Sequence, residues 1–140
     1  MKRTARRAAA VFGLGALALI LGVAQNAAAV PTEDGPAIDE IMKKVCSKKG
    51  ACVKCKTAVE GEKWEDAQKE AKTMADLGSK LGKNTAPKGE KDSWEKLTKK
   101  FAADAKAVAD AAEKKDKEAA TKAIGTFQKA CKNCHDNHKG

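Results

Sequence analysis

The amino-acid sequence predicts an all-α protein, folded as an antiparallel up-down-up-down four-helix bundle, from three observations. Ala, Lys and Glu dominate the chain after about residue 30, tyrosine is absent and β-branched residues are sparse, a composition that favours helices over strands. Apolar residues recur at helical spacing in four stretches. Short connections separate these stretches, as is typical of antiparallel helices that pack side by side.

The first 29 residues are predicted to be a signal peptide that precedes the fold. The segment opens with four basic residues, namely Lys2, Arg3, Arg6 and Arg7. An apolar run of 16 residues, 8–23, follows, and the small residues 27–29 supply a cleavage site. The run is shorter than the roughly 20 residues of a membrane span, although a retained N-terminal anchor is the alternative. We therefore expect one periplasmic domain over residues 30–140, with the signal peptide as its sole membrane contact.

The positive charge of the chain is better explained by lysines on solvated helix faces than by a binding site for an acidic partner. The formal net charge is +9, and the four basic residues of the predicted signal peptide include every arginine in the sequence. The domain would thus carry its positive charge on lysine alone. Nucleic-acid binding is not expected, because export removes that partner and arginine forks are absent. A mildly basic surface that docks acidic partners is the alternative to plain solvated helix faces.

The first two helices are expected on either side of a glycine. The first should run over about Ala37–Glu60, with Gly50 as a point where it bends or is interrupted. Gly61 should end it, because glycine is common where helices stop. The second helix is then expected over about Glu62–Leu81.

The last two helices are expected after a loop and a tight turn. The segment 82–91 contains Pro87 and two glycines and is the one long loop that the sequence predicts. Asp92 is predicted to cap the third helix, with Glu95 three residues on to complete a capping box. A turn near residues 114–115 should follow, and Asp116 should cap the fourth helix.

The motif with the sharpest chemistry lies near the C-terminus, as Cys131-Lys-Asn-Cys134-His135. Two thiols three residues apart on one helical face can add to the two vinyl groups of a haem, and the next histidine then reaches the iron. The spacing predicts one covalent haem c per chain, with His135 as the proximal iron ligand. The alternative is a structural zinc or disulfide protein without haem, because Cys52-x-x-Cys55 would complete a set of four thiolates.

A four-helix bundle with this motif close to its end resembles the class II c-type cytochromes, the cytochrome c-prime group, over residues 30–140. In that family a basic residue, usually arginine, often follows the haem histidine by four places, and Lys139 holds that position here. The aromatic residue common three places after that histidine is replaced by His138, which we expect at the surface or the pocket edge. The resemblance implies an electron carrier that exchanges electrons with periplasmic redox proteins, and not an enzyme.

The sequence leaves three possibilities for the sixth iron ligand: Met42, Cys46 or no protein ligand. In the family that the chain resembles, six-coordinate members draw this ligand from early in the first helix, and Met42 resembles that methionine. Cys46, one turn later, is the second candidate, because a thiolate binds ferric iron well. Family members with an apolar residue at this place leave the iron five-coordinate and bind nitric oxide or carbon monoxide, which is the alternative function.

In an up-down-up-down bundle, the end of the fourth helix lies beside the start of the first, and the loop between helices two and three lies at that same end. This geometry predicts the wall of the haem pocket, with Trp94 and Phe127 among the residues that contact the haem. The candidate wall residues are Met42, Val45, Cys46, Met74, Leu77, Leu81, Trp94, Leu97, Phe101 and Phe127. Cys52 and Cys55 have three possible roles, namely a disulfide, a redox-active pair or an intermolecular bridge. A homodimer is one alternative for the oligomeric state.

Overall fold

The structure is a computed structural model that describes residues 35–139, so the predicted signal peptide and its anchor alternative lie outside the described residues. Over this range the chain forms five helices and no strand, which confirms the prediction of an all-α protein. The helices are α1 (Ile38–Val45), α2 (Ala51–Glu60), α3 (Trp64–Leu81), α4 (Lys91–Glu113) and α5 (Lys117–His138). None of these helices is long and apolar enough to cross a membrane.

The expected first helix, Ala37–Glu60, is two helices, because the chain turns between Cys46 and Gly50. Cys46 caps the C-terminus of α1, and Gly50 is the N-cap of α2 with extended backbone. The Gly50 N–H donates to the Ser47 carbonyl oxygen at 2.9 Å and so closes the turn. A Cβ atom at Gly50 would lie 2.6 Å from the Val45 carbonyl oxygen, closer than real contacts allow. Glycine is therefore required at this point, which is the interruption that its position in the sequence predicts.

Two glycine-to-alanine substitutions test this packing argument. Gly50→Ala should destabilise the protein by about 1–3 kcal/mol, because the new methyl group overpacks the turn. Gly125→Ala is the matched variant, since Gly125 lies inside α5 with open space around its Cβ position, and alanine there should stabilise the helix by about 0.5–1 kcal/mol. Urea unfolding curves of both variants measure the two changes. Equal stabilities for the two variants would contradict the steric role of Gly50.

The helix starts show which capping predictions were correct. Asp92 is not the N-cap of α4, because the helix begins at Lys91 and Glu90 takes that place without a side-chain cap hydrogen bond. The predicted capping box of Asp92 and Glu95 is therefore wrong. Asp92 lies in the first turn of α4, where its negative charge interacts favourably with the positive end of the helix dipole. The predicted cap at Asp116 is confirmed, since its carboxylate accepts from the Ala119 N–H at 2.9 Å.

The helices pack in a bundle-like arrangement. α4 packs against α3 and α5, and α2 also packs against α3 and α5, so the contacts among these four helices form a closed ring. α1 packs against α3 and α2. In the core the rings of Phe101 and Phe127 pack against each other at a tilt of 46°, with 4.6 Å between centroids. The largest fully buried side chains are Phe101, Phe127, Ile41, Met74, Leu81, Ile124, Val45, Val59, Val108 and Cys55.

Candidate cofactor site

A cavity of about 590 Å³ lies where the end of α5 meets the start of α1. Its volume falls in the range of roughly 300–1,000 Å³ that is typical of small-molecule and cofactor sites. Four of the predicted cofactor-binding residues line it together, namely Met42, Trp94, Cys134 and His135. The remaining lining residues are Ala37, Ile38, Asp39, Leu81, Pro87, His138 and Lys139.

The last turns of α5 present the motif residues to two neighbouring cavities. Cys131 and Cys134 are three residues apart on a helix and so lie near the same face. Cys134 is buried in the first cavity, whereas Cys131 is half-buried and lines a second cavity of about 430 Å³. His135 is exposed and lines both. His135 therefore borders both cavities, and each cavity is lined by at least one cysteine of the motif.

Cys46 does not share the first cavity with Met42. It lines the second one, and its Sγ lies 3.6 Å from the Sγ of Cys131. The other residues that line this second cavity are Cys52, Val53, Gln128, Lys132, His135 and Asp136. The contact joins the end of α1 to α5 across 85 residues of sequence. It was not predicted, because the motif spacing says nothing about which distant thiol faces Cys131.

The two thiols in contact differ in acidity. The hydrogen bond from Cys46 lowers the pKa of Cys131, because it stabilises the thiolate of Cys131. The same hydrogen bond, together with burial, raises the pKa of Cys46. Burial raises the pKa of Cys134 as well. Since the thiolate is the nucleophile, these directions favour Cys131 over Cys46 and Cys134 as the attacking thiol.

The two cysteines of α2 lie in different surroundings. Cys52 lines the second cavity, and its pKa is raised mainly by burial. Cys55 is fully buried, with its thiol directed at the Ala67 carbonyl oxygen at 3.6 Å, and burial raises its pKa to about 11. Over residues 35–139 no three His, Cys, Asp or Glu side chains are grouped as a metal ion would need. The four thiolates of the zinc alternative are thus not gathered into one set.

His138 is buried and not at the surface, which corrects one of the two positions expected for it. Its side chain is 3% exposed and lines the first cavity. Nδ1 lies 2.7 Å from the Lys88 carbonyl oxygen, and Nε2 lies 3.0 Å from Ser93 Oγ. Because a carbonyl oxygen can only accept, Nδ1 carries the hydrogen, and in the neutral ring Nε2 accepts from the Ser93 hydroxyl. Both nitrogens are engaged, so His138 is not placed to bind a metal.

Hydrogen bonds that the sequence did not predict hold the loop before α4 in place beside the first cavity. Trp94 Nε1 donates to the Asn84 carbonyl oxygen at 2.7 Å, and the Asn84 side-chain amide donates to the Pro36 carbonyl oxygen at 3.3 Å. The Trp94 ring also packs edge-on against His138, with 5.4 Å between centroids. A buried tryptophan usually finds an acceptor for its N–H, which is the signal that could have directed attention to this loop.

The predicted pocket wall divides between cavity and core. Met42, Leu81 and Trp94 line the first cavity, and Cys46 lines the second. Phe127 is fully buried against Phe101 and is not among the residues that line either cavity. The other members of the predicted wall are buried or half-buried in the core, namely Val45, Met74, Leu77, Leu97 and Phe101.

The chain matches none of the protein families, curated proteins or solved structures with which it was compared. The residues themselves must therefore decide which group the site fits. Two thiols and an imidazole on adjoining turns of α5, beside a largely apolar cavity with a thioether on its wall, are a donor set that suits haem c. Cys131 with Cys134 would hold the macrocycle, and His135 would bind the iron.

Proposed function

We propose that the protein is a monohaem c-type cytochrome that transfers single electrons and catalyses no bond chemistry. The observation that carries the proposal is that one cavity brings Cys134 and His135 together with Met42 and Trp94, which are far apart in sequence. A bound haem c would supply the one-electron couple. The protein would supply covalent anchorage, axial ligation and an environment with limited access for water.

Each group of residues has a separate task in this proposal. Cys131 and Cys134 anchor the haem, and His135 binds its iron from α5. Leu81 and Trp94 form apolar wall, which raises the cost of placing charge or water inside the cavity. The loop before α4 holds Trp94 in position through the Asn84 carbonyl oxygen. A fixed wall keeps the environment of the iron similar in both oxidation states, which suits an electron carrier.

The exposed side of the motif offers a route to partner proteins. His135 is exposed and has the exposed Lys132 and Lys139 close to it in sequence. Lys139 lines the first cavity, where its ammonium group could neutralise a haem propionate. A lysine-bearing rim of this kind favours encounter with acidic redox proteins. We propose periplasmic redox proteins as the partners, with the bound haem close to this rim.

The proposal includes an up-down-up-down order for α2, α3, α4 and α5, with α1 as an extension of the first. It is supported by the closed ring of contacts among these four helices and by the short turn at 114–116 between α4 and α5. Short connections favour antiparallel neighbours. This topology matters for the proposed function, because it would explain how the end of α5 and the start of α1 line the same cavity.

The direct test is to express the full chain in a bacterium that attaches haem c. We expect the periplasmic fraction to contain a protein that begins near Val30 and carries one covalent haem, as measured by intact mass spectrometry. We also expect a Soret band and sharp reduced bands, as for six-coordinate iron. Broad reduced bands with carbon monoxide binding would favour the gas-binding alternative. A product that keeps residues 1–29 and fractionates with membranes, or one without a Soret band, would contradict the proposal.

A further inference from the structure

The thiols of Cys46 and Cys131 lie close enough for a disulfide to form between them after a small movement. Their sulfur atoms lie 3.6 Å apart, and each side chain is half-buried at the wall of the second cavity. Cys46 is the C-cap of α1 and not a residue inside the helix. Its side chain can therefore rotate at the end of the helix, while its N–H still donates to the Met42 carbonyl oxygen at 2.9 Å. A disulfide needs the sulfur atoms at about 2.05 Å, a modest approach from the observed distance.

The two pairings with Cys-x-x-Cys spacing are less favourable because each lies within one helix. Cys131 and Cys134 are both inside α5, and Cys52 and Cys55 are both inside α2. Residues three apart on a helix have Cβ atoms about 5–6 Å apart, whereas a disulfide needs about 3.5–4.5 Å. Either bridge would therefore distort its helix. In addition, Cys55 is fully buried with its thiol directed at a backbone carbonyl oxygen.

We propose that Cys46 and Cys131 form a disulfide in the haem-free protein, and that this bond must be reduced before haem can be attached at Cys131. The disulfide itself follows from the contact of the two thiols and does not depend on the proposed haem function. Its consequence for haem attachment does rest on that function, since a thioether forms by addition of a free S–H group across a vinyl bond. Cys46 thus acts as a protecting partner of the motif cysteine.

The bond forms by two thiol–disulfide exchanges with a small-molecule disulfide such as oxidised glutathione. The Cys131 thiolate attacks one sulfur of glutathione disulfide, which gives a mixed disulfide and releases one glutathione thiol. The Cys46 thiolate then attacks the Cys131 sulfur and releases the second glutathione. The two protein thiols lose two protons and two electrons, and the glutathione disulfide takes up both. The lowered pKa of Cys131 favours it as the attacking thiol.

The experiment maps the disulfide in the full chain made without haem. The folded protein is exposed to oxidised glutathione, quenched with acid, alkylated and digested with trypsin. Cleavage after lysine places each cysteine on its own peptide, namely 45–48, 50–54, 55–56, 130–132 and 133–139. We expect peptides 45–48 and 130–132 to be linked in most of the protein, and a dithiol to separate them. A Cys131–Cys134 link, or a free Cys131 after oxidation, would overturn the proposal.

Two matched variants give the haem-dependent part a separate readout. Oxidised wild-type protein should attach ferrous haem at least tenfold more slowly without a dithiol than with one, as measured by the mass of the product. Cys46→Ser should remove this dependence, whereas Cys55→Ser should keep it. Equal dependence in both variants would overturn the protecting role of Cys46. If the disulfide forms but no variant ever takes up haem, the proposed function fails while the Cys46–Cys131 bond stands.

Discussion

Replacement of His135 by alanine is expected to remove the native absorption spectrum while haem stays covalently attached. The proposed thioethers at Cys131 and Cys134 do not involve the imidazole, so the mass of the variant should still include one covalent haem. On the proposed ligation the iron would lose its proximal ligand, so the Soret band should shift and the native reduced bands should disappear. Cys131→Ala with Cys134→Ala should show the converse result, with haem that is lost on denaturation. Absorption spectra and intact mass, recorded on the same samples, separate the two effects.

His138→Gln is the matched control, because the chain contains two histidines and both line the first cavity. His138 contributes hydrogen bonds to the Lys88 carbonyl oxygen and Ser93, so the variant should lose about 1–3 kcal/mol of stability. Its spectrum should keep the native form. Imidazole added to His135→Gly should restore much of the native spectrum. A native spectrum in His135→Ala would overturn the assignment of His135 as the proximal ligand. Loss of the native spectrum only in His138→Gln would move that assignment to His138.

Much of the helical fold could be predicted, because it depends on local patterns. The spacing of apolar residues located α3, α4 and α5 but merged α1 and α2 into one expected helix, and the side chain of Asp116 identified that residue as a cap. The start of α4 was missed by one to two residues, because Glu90 takes the N-cap without any side-chain cap hydrogen bond. The packing against neighbouring helices decides such a boundary. The glycine at position 50 was enough to predict a break in the helix. The reason why glycine is needed there is visible only in the structure, where the Val45 carbonyl oxygen leaves no room for a Cβ atom.

In the candidate site, too, the features encoded by local sequence could be predicted and the contacts between helices could not. Its C-terminal motif is contiguous, so the proposed roles of Cys131, Cys134 and His135 are predictions from spacing alone. The contact of Cys46 with Cys131 and the fastening of the loop to Trp94 join residues from separate helices. No local pattern encodes them, because they follow from how the helices pack. The charge and burial that set the thiol pKa values depend on the same packing and could not be read from the chain.

Met42→Ala is expected to convert the iron from low-spin to high-spin and to open it to carbon monoxide. Met42 lies on α1 and lines the same cavity as Cys134 and His135, which places its thioether on the wall of the proposed haem site. A thioether ligand stabilises ferrous iron and raises the reduction potential, as suits an electron carrier. The variant should therefore show broad reduced bands, a lower potential and complete binding of carbon monoxide, as measured by absorption spectra and a redox titration.

Cys46→Ser is the matched variant for the rival ligand, one helical turn beyond Met42. The Cys46 thiol lines the other cavity and already contacts the Cys131 sulfur, and its raised pKa disfavours the thiolate that iron would bind. We therefore expect Cys46→Ser to stay low-spin. A low-spin spectrum in Met42→Ala that Cys46→Ser abolishes would assign the ligand to Cys46. A high-spin spectrum in the unmodified protein would exclude both residues, and Met42 would then be a wall residue of a five-coordinate site that binds nitric oxide or carbon monoxide.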